Sequence, residues 1–409
     1  MRIGFLFNHD QIHQIAHSLP IALTLADTHG DVEVIVATTN ERLREEVNRI
    51  AGEWGVSSVH FVDLRPRSIF SRGAVKLLDR CLPAAKLTIY RDHLAFFSSL
   101  DALVVAEKTS AILKTRYRIS TLKLIHTRHG AGDRAIGFDR ASSRFDQVLV
   151  SGPKIRDRLI RDAKVAPERL SMIGYPKFDL VPAISPRLPF QANGRPTVLY
   201  NPHVSPHLSS WYRDGRAVLD FFVEHTEYNL IFAPHVMLFE RPFALSIDKM
   251  RIDRPGTLDE KYWAAANIHI DLGSRASTDM TYTSAADLYL GDVSSQVYEF
   301  LLRPRPCVFL NTHEIRFDDD PNYAHWQTGQ VITRPTELGD ALMAAWDRQS
   351  SYRPTQDRLF NQSFDLTETL SSTRAARAIM AFLNLTAPEA VTESNPLPLR
   401  PSLQLRGAA

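Results

Sequence analysis

An apolar strand that leads into a serine-rich turn is the first place where residue types and spacing suggest chemistry. The run Ala-Asp-Leu-Tyr-Leu-Gly ends in Asp292, Ser294 and Ser295, and Glu299 follows one helical turn later. Serine hydroxyls and exposed N–H groups at the start of a helix form an anion site. We therefore expect a phosphate or diphosphate here, with Glu299 placed to reach a ribose hydroxyl. The alternative is that Asp292 and Ser294 only cap the helix.

A second candidate site lies in the first half of the chain. A predicted strand runs into His-Thr-Arg-His-Gly-Ala-Gly-Asp, residues 126–133. His129 stands at the carboxyl end of that strand, beside Gly130, which permits close backbone approach; this position suits proton transfer near neutral pH. Arg128 could hold a phosphate through two parallel hydrogen bonds. The alternative is a histidine that is only polar and solvated.

Two further histidines directly follow strands in the second half. The strand Thr-Val-Leu-Tyr is followed by Asn-Pro-His203, and the strand Leu-Ile-Phe-Ala by Pro-His235. Because the carboxyl ends of parallel strands share one edge of a sheet, we expect both histidines to face the same crevice as Ser294 and Ser295. Unrelated loop histidines are the alternative.

Several familiar cofactor motifs are missing from the sequence. No GxGxxG follows the first strand and no GxxxxGK[ST] occurs, so neither dinucleotide nor Walker-type binding is supported. No HExxH or Cys/His zinc spacing is present, and three adjacent acids at residues 318–320 are more typical of a solvated loop than of a metal site. We therefore predict no metal and no cofactor.

Short apolar runs alternate with longer amphipathic stretches along most of the chain. This alternation is typical of βαβ units around a parallel sheet that is buried on both faces. The predicted strands span residues 2–7, 32–37, 59–62, 103–106, 122–126, 147–150, 197–200, 230–233, 268–271, 288–290, 307–310 and 330–332. The predicted helices span residues 12–28, 40–54, 216–225 and 294–302.

A change of composition divides the chain in two. Four prolines and one glycine between residues 180 and 196 cannot hold a helix and indicate a linker. The prediction is an N-terminal Rossmann-like domain over residues 1–180, a linker and hinge over residues 181–196, and a C-terminal Rossmann-like domain over residues 197–385. Residues 386–409 are Pro-rich and poor in large apolar side chains, which predicts a disordered tail.

Overall charge and cysteine content indicate which partners and which cellular compartment to expect. The 409 residues carry 48 Lys and Arg against 46 Asp and Glu, a net charge of +2 that gives no reason to expect a nucleic-acid partner. Two cysteines cannot form a disulfide framework, and the sequence shows neither a signal peptide nor 18 consecutive apolar residues, so a cytoplasmic protein is predicted.

One stretch stands apart in its charge. Residues 65–91 hold seven basic side chains and one acidic one, interleaved with apolar residues. Such a segment suits an anionic membrane surface or a polyanionic acceptor, which would make the protein peripheral to the inner face of the cell membrane. A surface helix packed on its own sheet is the alternative.

Together these motifs resemble the CDP-glycerol:poly(glycerophosphate) glycerophosphotransferase family over residues 120–315. His129-Gly130 resembles its HG motif, residues 198–203 its strand and Pro-containing turn, and residues 231–235 a further strand that ends in His. Its helix-opening Asp-x-Ser-Ser motif with a later acid is matched by Asp292, Ser294, Ser295 and Glu299. The chain departs from the family at His203, where Thr is usual, and after the HG motif, where Asp133 and Arg134 replace the usual Lys.

The resemblance implies a fold, a reaction and roles for these residues. The fold is α/β and GT-B-like, with two Rossmann-like domains, an acceptor-side domain and a nucleotide-donor domain, facing each other across a cleft. His129 would deprotonate the acceptor hydroxyl, while His235, Ser294 and Ser295 would hold the pyrophosphate of the donor and Glu299 the ribose. A glycerol-phosphate-like unit would pass from a CDP-linked donor to a hydroxyl of a surface polymer or lipid-linked precursor, with release of CMP. Closure about the hinge would exclude water.

Three other functions stay open at this point. A glycosyltransferase of the same fold would use a sugar nucleotide such as a UDP-sugar, and a UDP-sugar 2-epimerase would carry a similar C-terminal phosphate motif. A non-catalytic nucleotide- or polyanion-binding protein is the third. The nucleotide that binds, and the effect of replacing His129, separate these functions.

Overall fold

The computed structural model divides the chain into two compact units. The first comprises Met1–His129, Ile136–Leu180 and the chain from Phe364; the second comprises Gly130–Ala135 and Val181–Ser363. The residues that the structure describes are 1–8, 12–56, 58–66, 84–128, 130, 132–133, 135–182, 186–240, 242–246 and 250–384.

The first unit is built on a parallel sheet with the strand order β3-β2-β1-β4-β5-β6-β7 in the described chain. Its strands are β1 (Arg2–Phe7), β2 (Glu33–Thr38), β3 (His60–Asp63), β4 (Ala102–Val105), β5 (Lys123–Thr127), β6 (Gln147–Val150) and β7 (Leu170–Met172). Its α-helices are α1 (Leu19–Thr28), α2 (Glu41–Trp54), α3 (Ala84–Asp92), α4 (Leu94–Ser98), α5 (Ile112–Thr115) and α6 (Pro153–Arg161), with the C-terminal α13 (Ser371–Phe382). Short 3-10 helices span Ile12–His17, Lys108–Ala111, Ala135–Phe138, Arg140–Arg144, Pro167–Arg169 and Pro176–Leu180. Strands β1, β2, β4, β5 and β6 are almost wholly buried, as the uninterrupted apolar runs predict, whereas the edge strands β3 and β7 are partly exposed.

Local sequence explains where the helices of this unit begin and end. Asn40 caps α2, because its side chain accepts the N–H of Leu43 at 3.0 Å, and Gly55 ends the helix with a φ of 80° that favours glycine. The single helix predicted over residues 12–28 is instead a 3-10 turn followed by α1. Pro20 lies in the first turn of α1, where its missing N–H is tolerated, so the helix restarts there.

The second unit holds a parallel sheet with the order β12-β9-β8-β13-β14-β15 and a separate antiparallel ribbon, β10-β11. Its strands are β8 (Thr197–Asn201), β9 (Asn229–Phe232), β10 (Ala244–Ser246), β11 (Arg251–Asp253), β12 (Ile268–Ile270), β13 (Leu288–Gly291), β14 (Cys307–Leu310) and β15 (Gln330–Ile332). Its α-helices are α7 (Trp211–Glu224), α8 (Glu260–Ala264), α9 (Thr281–Ala285), α10 (Gln296–Phe300), α11 (Leu338–Asp347) and α12 (Gln349–Ser363). Its 3-10 helices span Pro189–Asn193, Arg275–Ser277, Pro321–Thr328 and Pro335–Glu337.

Some elements of the second unit differ from the predicted ones. Helix α7 begins at Trp211, five residues before the predicted start, because the Trp211 ring is buried and its Nε1 donates to the Pro255 carbonyl at 3.0 Å. The ribbon β10-β11 was not predicted, since strands of three residues carry almost no periodic signal. In the first unit β7, also three residues long, was missed for the same reason.

The chain leaves the second unit before the predicted domain boundary at residue 385. From Phe364 it packs with the first unit, where Ala375, Ala376, Ile379 and Met380 of α13 join the apolar cluster of α1. The apolar stripe of α13 decides this, since a helix needs a complementary apolar face and α1 supplies it. The predicted tail, residues 386–409, lies outside the described residues.

The predicted linker is in part integrated into the second unit. The Gln191 amide is buried and donates to Thr197 Oγ1 at 2.9 Å and to the Ala285 carbonyl at 3.0 Å. Asn193 and Asn229 exchange two side-chain hydrogen bonds of 2.9 Å. Residues 186–196 are therefore packed chain, and residues 183–185 lie outside the described part.

Most of the basic segment, residues 67–83, also lies outside the described residues. Of its remaining basic side chains, Arg65, Lys86 and Arg91 each form an ion pair with a nearby acid, at distances of 2.7, 3.3 and 3.1 Å. None of the helices in the described part of the chain is long and apolar enough to cross a membrane.

We expect Asp179 to anchor α13 on the first unit. Its carboxylate accepts the N–H groups of Ser371 at 3.2 Å and Ser372 at 2.7 Å. Asp179→Ala leaves both groups of the first helical turn without an acceptor and should lower the free energy of unfolding by about 1–2 kcal/mol. Asp179→Asn keeps an acceptor oxygen and should lose less. Urea denaturation measures both, and equal stability of Asp179→Ala and wild type would contradict the assignment.

Candidate active site

The predicted C-terminal site residues follow three neighbouring strands at their carboxyl ends. The order β9-β8-β13 places the loops after Phe232, Asn201 and Gly291 side by side at one edge of the sheet. These loops carry His235, His203 and the segment Asp292-Val-Ser-Ser. The carboxyl edge of a parallel sheet is where ligands bind in such folds.

Asp292 is the centre of this edge and is 1% exposed. Its carboxylate accepts the N–H of His203 at 2.9 Å, the N–H and hydroxyl of Ser210 at 2.7 and 2.9 Å, and the N–H of Val293 at 2.6 Å. Burial raises its pKa to about 6, so it is still ionised at neutral pH. Its acceptor atoms are therefore engaged within the protein. Asp292 shapes the loop that carries His203, whereas the sequence had indicated a phosphate contact or a helix cap.

His203 and His235 meet across this edge with their ring centroids 5.8 Å apart. The Nδ1 of His203 accepts the N–H of Ser205 at 2.9 Å, and the Nδ1 of His235 accepts the N–H of Met237 at 3.3 Å. An Nδ1 that accepts puts the ring hydrogen on Nε2. Burial lowers the pKa of His235 to about 4, so this histidine is neutral at neutral pH. It can donate a hydrogen bond from Nε2 but brings no positive charge.

The serine turn is followed by a helix shorter than predicted. Helix α10 has five residues, Gln296–Phe300, in place of residues 294–302, so its dipole adds little to an anion site. Ser294 is buried, and its hydroxyl accepts the N–H of Gln296 weakly at 3.4 Å. Glu299 is 8% exposed, and its contact with a ribose stays a prediction. The expected anion contact of this turn would therefore depend on the hydroxyls of Ser294 and Ser295.

The Gly130–Asp133 loop lies against the serine turn. Gly130 has a φ of 72°, and a Cβ added at Gly132 would lie 3.1 Å from the Ser295 Cβ. Two glycines at this spacing therefore let the backbone approach Ser295 closely. The predicted base His129, which precedes Gly130 in the sequence, lies outside the described residues.

Arg128, which the sequence assigned to a phosphate, is engaged within the first unit. Its Nη1 donates to the Gly137 carbonyl at 2.6 Å, and its guanidinium lies 4.6 Å from the centre of the Phe138 ring. Burial lowers the pKa of Arg128 to about 10, which still leaves it cationic at neutral pH. The guanidinium is thus held by its own loop.

Sequence reasoning missed a buried network beneath the serine turn. The Asp133 carboxylate accepts the Tyr298 hydroxyl at 2.8 Å and faces His325 Nδ1 at 3.0 Å. His325 Nε2 and Trp326 Nε1 reach the Asp292 carbonyl at 3.1 and 2.6 Å. Asp133 follows the HG motif and was visible in the sequence, but His325 and Trp326 carry no local motif. No group of three or more His, Cys, Asp or Glu side chains among the described residues is arranged to hold a metal ion.

Comparison with known proteins shows the fold. No protein-family profile and no curated protein sequence matches the chain. Among solved structures, the wall teichoic acid polymerase TagF, in a variant soaked with CDPG, matches with a TM-score of 0.57 and 16% identity over 94% of this chain and 88% of that one. A Listeria monocytogenes protein described as a UDP-N-acetylglucosamine 2-epimerase gives 0.60 and 12% over 95% and 98%, and Staphylococcus aureus MnaA with UDP gives 0.58 and 13% over 95% and 98%. The chain thus has the two-domain GT-B fold that the sequence predicted.

The low pKa of His235 makes folding depend on pH. Between about pH 4 and 6.5 the folded protein binds fewer protons at this residue than the unfolded chain. The contribution of His235 to the free energy of unfolding, roughly 3 kcal/mol, is present above pH 6.5 and is lost as the pH falls toward 4. His235→Asn keeps an acceptor for the Met237 N–H but does not titrate, so its free energy of unfolding should vary less over this range. Denaturation at several pH values tests this against His225→Asn, an exposed histidine; equal slopes for His235→Asn and wild type would refute it.

We expect Gly132→Ala to disturb the serine turn. The new methyl group would stand 3.1 Å from the Ser295 Cβ, so Ser295 must shift by a few tenths of an ångström. We predict about tenfold weaker binding of pyrophosphate, because small displacements of positioned donors are costly. Gly52→Ala is the matched control, since its Cβ meets nothing within 4 Å. Calorimetry that finds equal affinities for both variants would contradict the prediction.

Proposed function

We propose that the protein is a transferase that moves a glycerol-phosphate-like unit from a CDP-activated donor to a hydroxyl group and releases CMP. The observation that carries this proposal is the contact between the two sequence motifs: the backbone at Gly132 lies directly against Ser295. In this proposal the donor phosphate lies beside this contact within the second unit, and His129, which precedes Gly130 in the sequence, acts as the base. The solved TagF structure soaked with CDPG supports the choice of donor.

The C-terminal unit would hold the diphosphate of the donor mainly through neutral donors. Ser294 and Ser295 provide hydroxyls, and the Nε2–H groups of His203 and His235 complete the set. Donors that are already fixed by the fold stabilise charge as it develops without reorganisation of solvent. The network around Asp292 provides that rigidity, because it fixes the loop of His203 and the serine turn together.

Proton transfer is assigned to His129, in agreement with the motif that it shares with Gly130. In the proposed reaction His129 takes the proton of the acceptor hydroxyl as that oxygen attacks the donor phosphorus, and the bond from phosphorus to the CMP oxygen breaks. Positioning and electrostatics perform such a transfer, and it needs no covalent intermediate. The acceptor is a hydroxyl of a surface polymer or a lipid-linked precursor. Membrane contact through residues 65–91 stays a prediction.

A second candidate is an enzyme of a UDP-sugar, either a glycosyltransferase or a 2-epimerase. The observation that favours it is the similarity of this chain to the Listeria epimerase and to MnaA with UDP. The two candidates place the same diphosphate at the same turn. They differ in the base that is recognised and in the product that is released.

A nucleotide screen followed by a base-deficient variant tests the proposal. Thermal unfolding with CDP, CMP, UDP, UMP, GDP and ADP should show stabilisation selective for cytidine nucleotides, about 2.7 kcal/mol at 100 times the dissociation constant. His129→Ala should still bind CDP while CMP release from CDP-glycerol in the presence of acceptor falls at least about a hundredfold. His225→Ala, an exposed histidine elsewhere in the second unit, is the control.

Each other outcome assigns a different function. Selective stabilisation by UDP points to the glycosyltransferase or epimerase, which the release of UDP or of an epimerised sugar then separates. Binding of CDP without any turnover that depends on His129 points to a non-catalytic nucleotide-binding protein. No response to any nucleotide would refute the proposed donor.

A further inference from the structure

His325 is a buried histidine whose two ring nitrogens both face hydrogen-bond acceptors. It lies in the 3-10 helix Pro321–Thr328, and its side chain is 4% exposed. Nδ1 stands 3.0 Å from Asp133 Oδ2, and Nε2 stands 3.1 Å from the main-chain carbonyl of Asp292. The ring therefore bridges the loop after the HG motif and the turn that opens the serine motif.

This geometry determines where the protons are. A neutral imidazole has one N–H and one lone pair, so one of its nitrogens would direct a lone pair at an oxygen acceptor. A protonated ring donates from both nitrogens, to the carboxylate on one side and to the carbonyl on the other. Burial of an unsatisfied polar group in this position would cost more than a hydrogen bond contributes.

The charge of Asp133 also indicates that the His325 ring is protonated. Its side chain is fully buried, and it receives the Tyr298 hydroxyl at 2.8 Å and the His325 N–H at 3.1 Å besides the imidazole. Burial raises the pKa of Tyr298 well above its ordinary value, so this hydroxyl is neutral and donates. Several donors that converge on a buried carboxyl group favour its ionised form, and a cation beside it offsets the cost of burying that charge. His325 is placed to be that cation.

The remaining neighbours of His325 also suit a cation. Three aromatic rings lie near the His325 ring. Their centroids are 5.6 Å away for Phe309 of β14, 6.4 Å for Tyr298 of α10 and 6.1 Å for Trp326. Of these three rings, the Phe309 ring lies within the distance of about 6 Å at which an aromatic ring can stabilise a positive charge. The Asp292 carboxylate is directed to the His203 loop and to Ser210, so Asp292 presents its carbonyl to His325.

We propose that Asp133 holds His325 as an imidazolium, and that this buried ion pair positions the Asp292–Ser295 turn for the diphosphate of the ligand. The imidazolium pins the Asp292 carbonyl together with Trp326, two residues before the first serine hydroxyl. The choice of a diphosphate as ligand rests on the proposed function. His325 is a positioning residue, since it acts through the turn rather than by contact with the ligand.

The protonation state is measured directly in the wild-type protein. Imidazole ¹⁵N chemical shifts of protein labelled with ¹⁵N-histidine should include one ring that stays doubly protonated at a pH where exposed histidines have lost their second proton. Its signal should vanish in His325→Gln and lose its imidazolium shift in Asp133→Asn. Wild-type spectra in which no ring is doubly protonated at such a pH overturn the proposal, even where neither variant folds. This arm needs no nucleotide.

Ligand binding then distinguishes two roles for His325: positioning of the serine turn, and general support of the fold. Calorimetry compares CDP and pyrophosphate with cytidine, which has the same base and ribose but no phosphate. His325→Gln and Asp133→Asn should bind CDP and pyrophosphate about tenfold more weakly, or 1.4 kcal/mol, and bind cytidine as the wild type does. His225→Gln makes the same substitution on an exposed ring beside Glu227 and should change neither affinity.

Two results contradict the proposal and can be told apart. An equal loss of affinity for CDP and cytidine in His325→Gln shows that the ring only holds the structure together, and it overturns the positioning of the serine turn by His325. Failure of the wild type to bind CDP, pyrophosphate or any nucleotide refutes the proposed function and with it the ligand named here. The ¹⁵N spectra still decide whether Asp133 and His325 form an ion pair.

Discussion

The need to satisfy a buried carboxylate at Asp292 organises the whole candidate site. An ionised acid that is 1% exposed is tolerated only where several donors converge on it. These donors come from the His203 N–H, from Ser210 at the start of α7, and from the residue after Asp292 itself. The carboxyl ends of β8 and β13 are thereby held in one geometry. If this carboxylate lost its donors, the His203 loop and the serine turn would no longer be held in a fixed position relative to each other.

A second buried acid, Asp133, extends the same constraint to the loop after the HG motif. Its partners, Tyr298 and His325, stand on α10 and on a 3-10 helix that is remote in sequence. The two acids meet at His325, which reaches the carboxylate of Asp133 and the carbonyl of Asp292. The serine turn is thus held by groups that lie behind it. This arrangement agrees with a chemistry based on preorganised dipoles and charges rather than on a covalent intermediate.

The comparisons place the chain in a fold that supports different reactions on nucleotide-linked substrates. Identities of 12 to 16% leave the architecture in common and the loops free to differ. Function in such folds is decided by the groups at the sheet edge, not by the sheet. At that edge this chain carries His203, His235, Ser294 and Ser295, and the proposed ion pair of Asp133 and His325 lies behind them. A CDP-linked donor is the proposal that brings them together with His129.

Repeated apolar runs sufficed to predict the strands of both sheets that are four residues or longer, because a strand buried on both faces must be apolar along its length. Strands of three residues hold little pattern: β12 and β15 lie within predicted strands, whereas β7, β10 and β11 were missed. The prediction of α13 as part of the second unit failed for another reason. Its sequence shows that it has an apolar face, but only the folded chain shows that α1 covers that face.

The sequence by itself determined the two-domain α/β architecture and brought the histidines and serines to the ends of strands. Residue type and proximity along the chain were enough for that, because parallel strands align their carboxyl ends. Only the tertiary structure decided what each side chain does there. It buried Asp292 among donors, kept Arg128 on its own loop, made His235 neutral, and placed His325 against Asp133. Protonation and hydrogen bonding depend on burial and on neighbours remote in sequence, and neither can be read from a local motif.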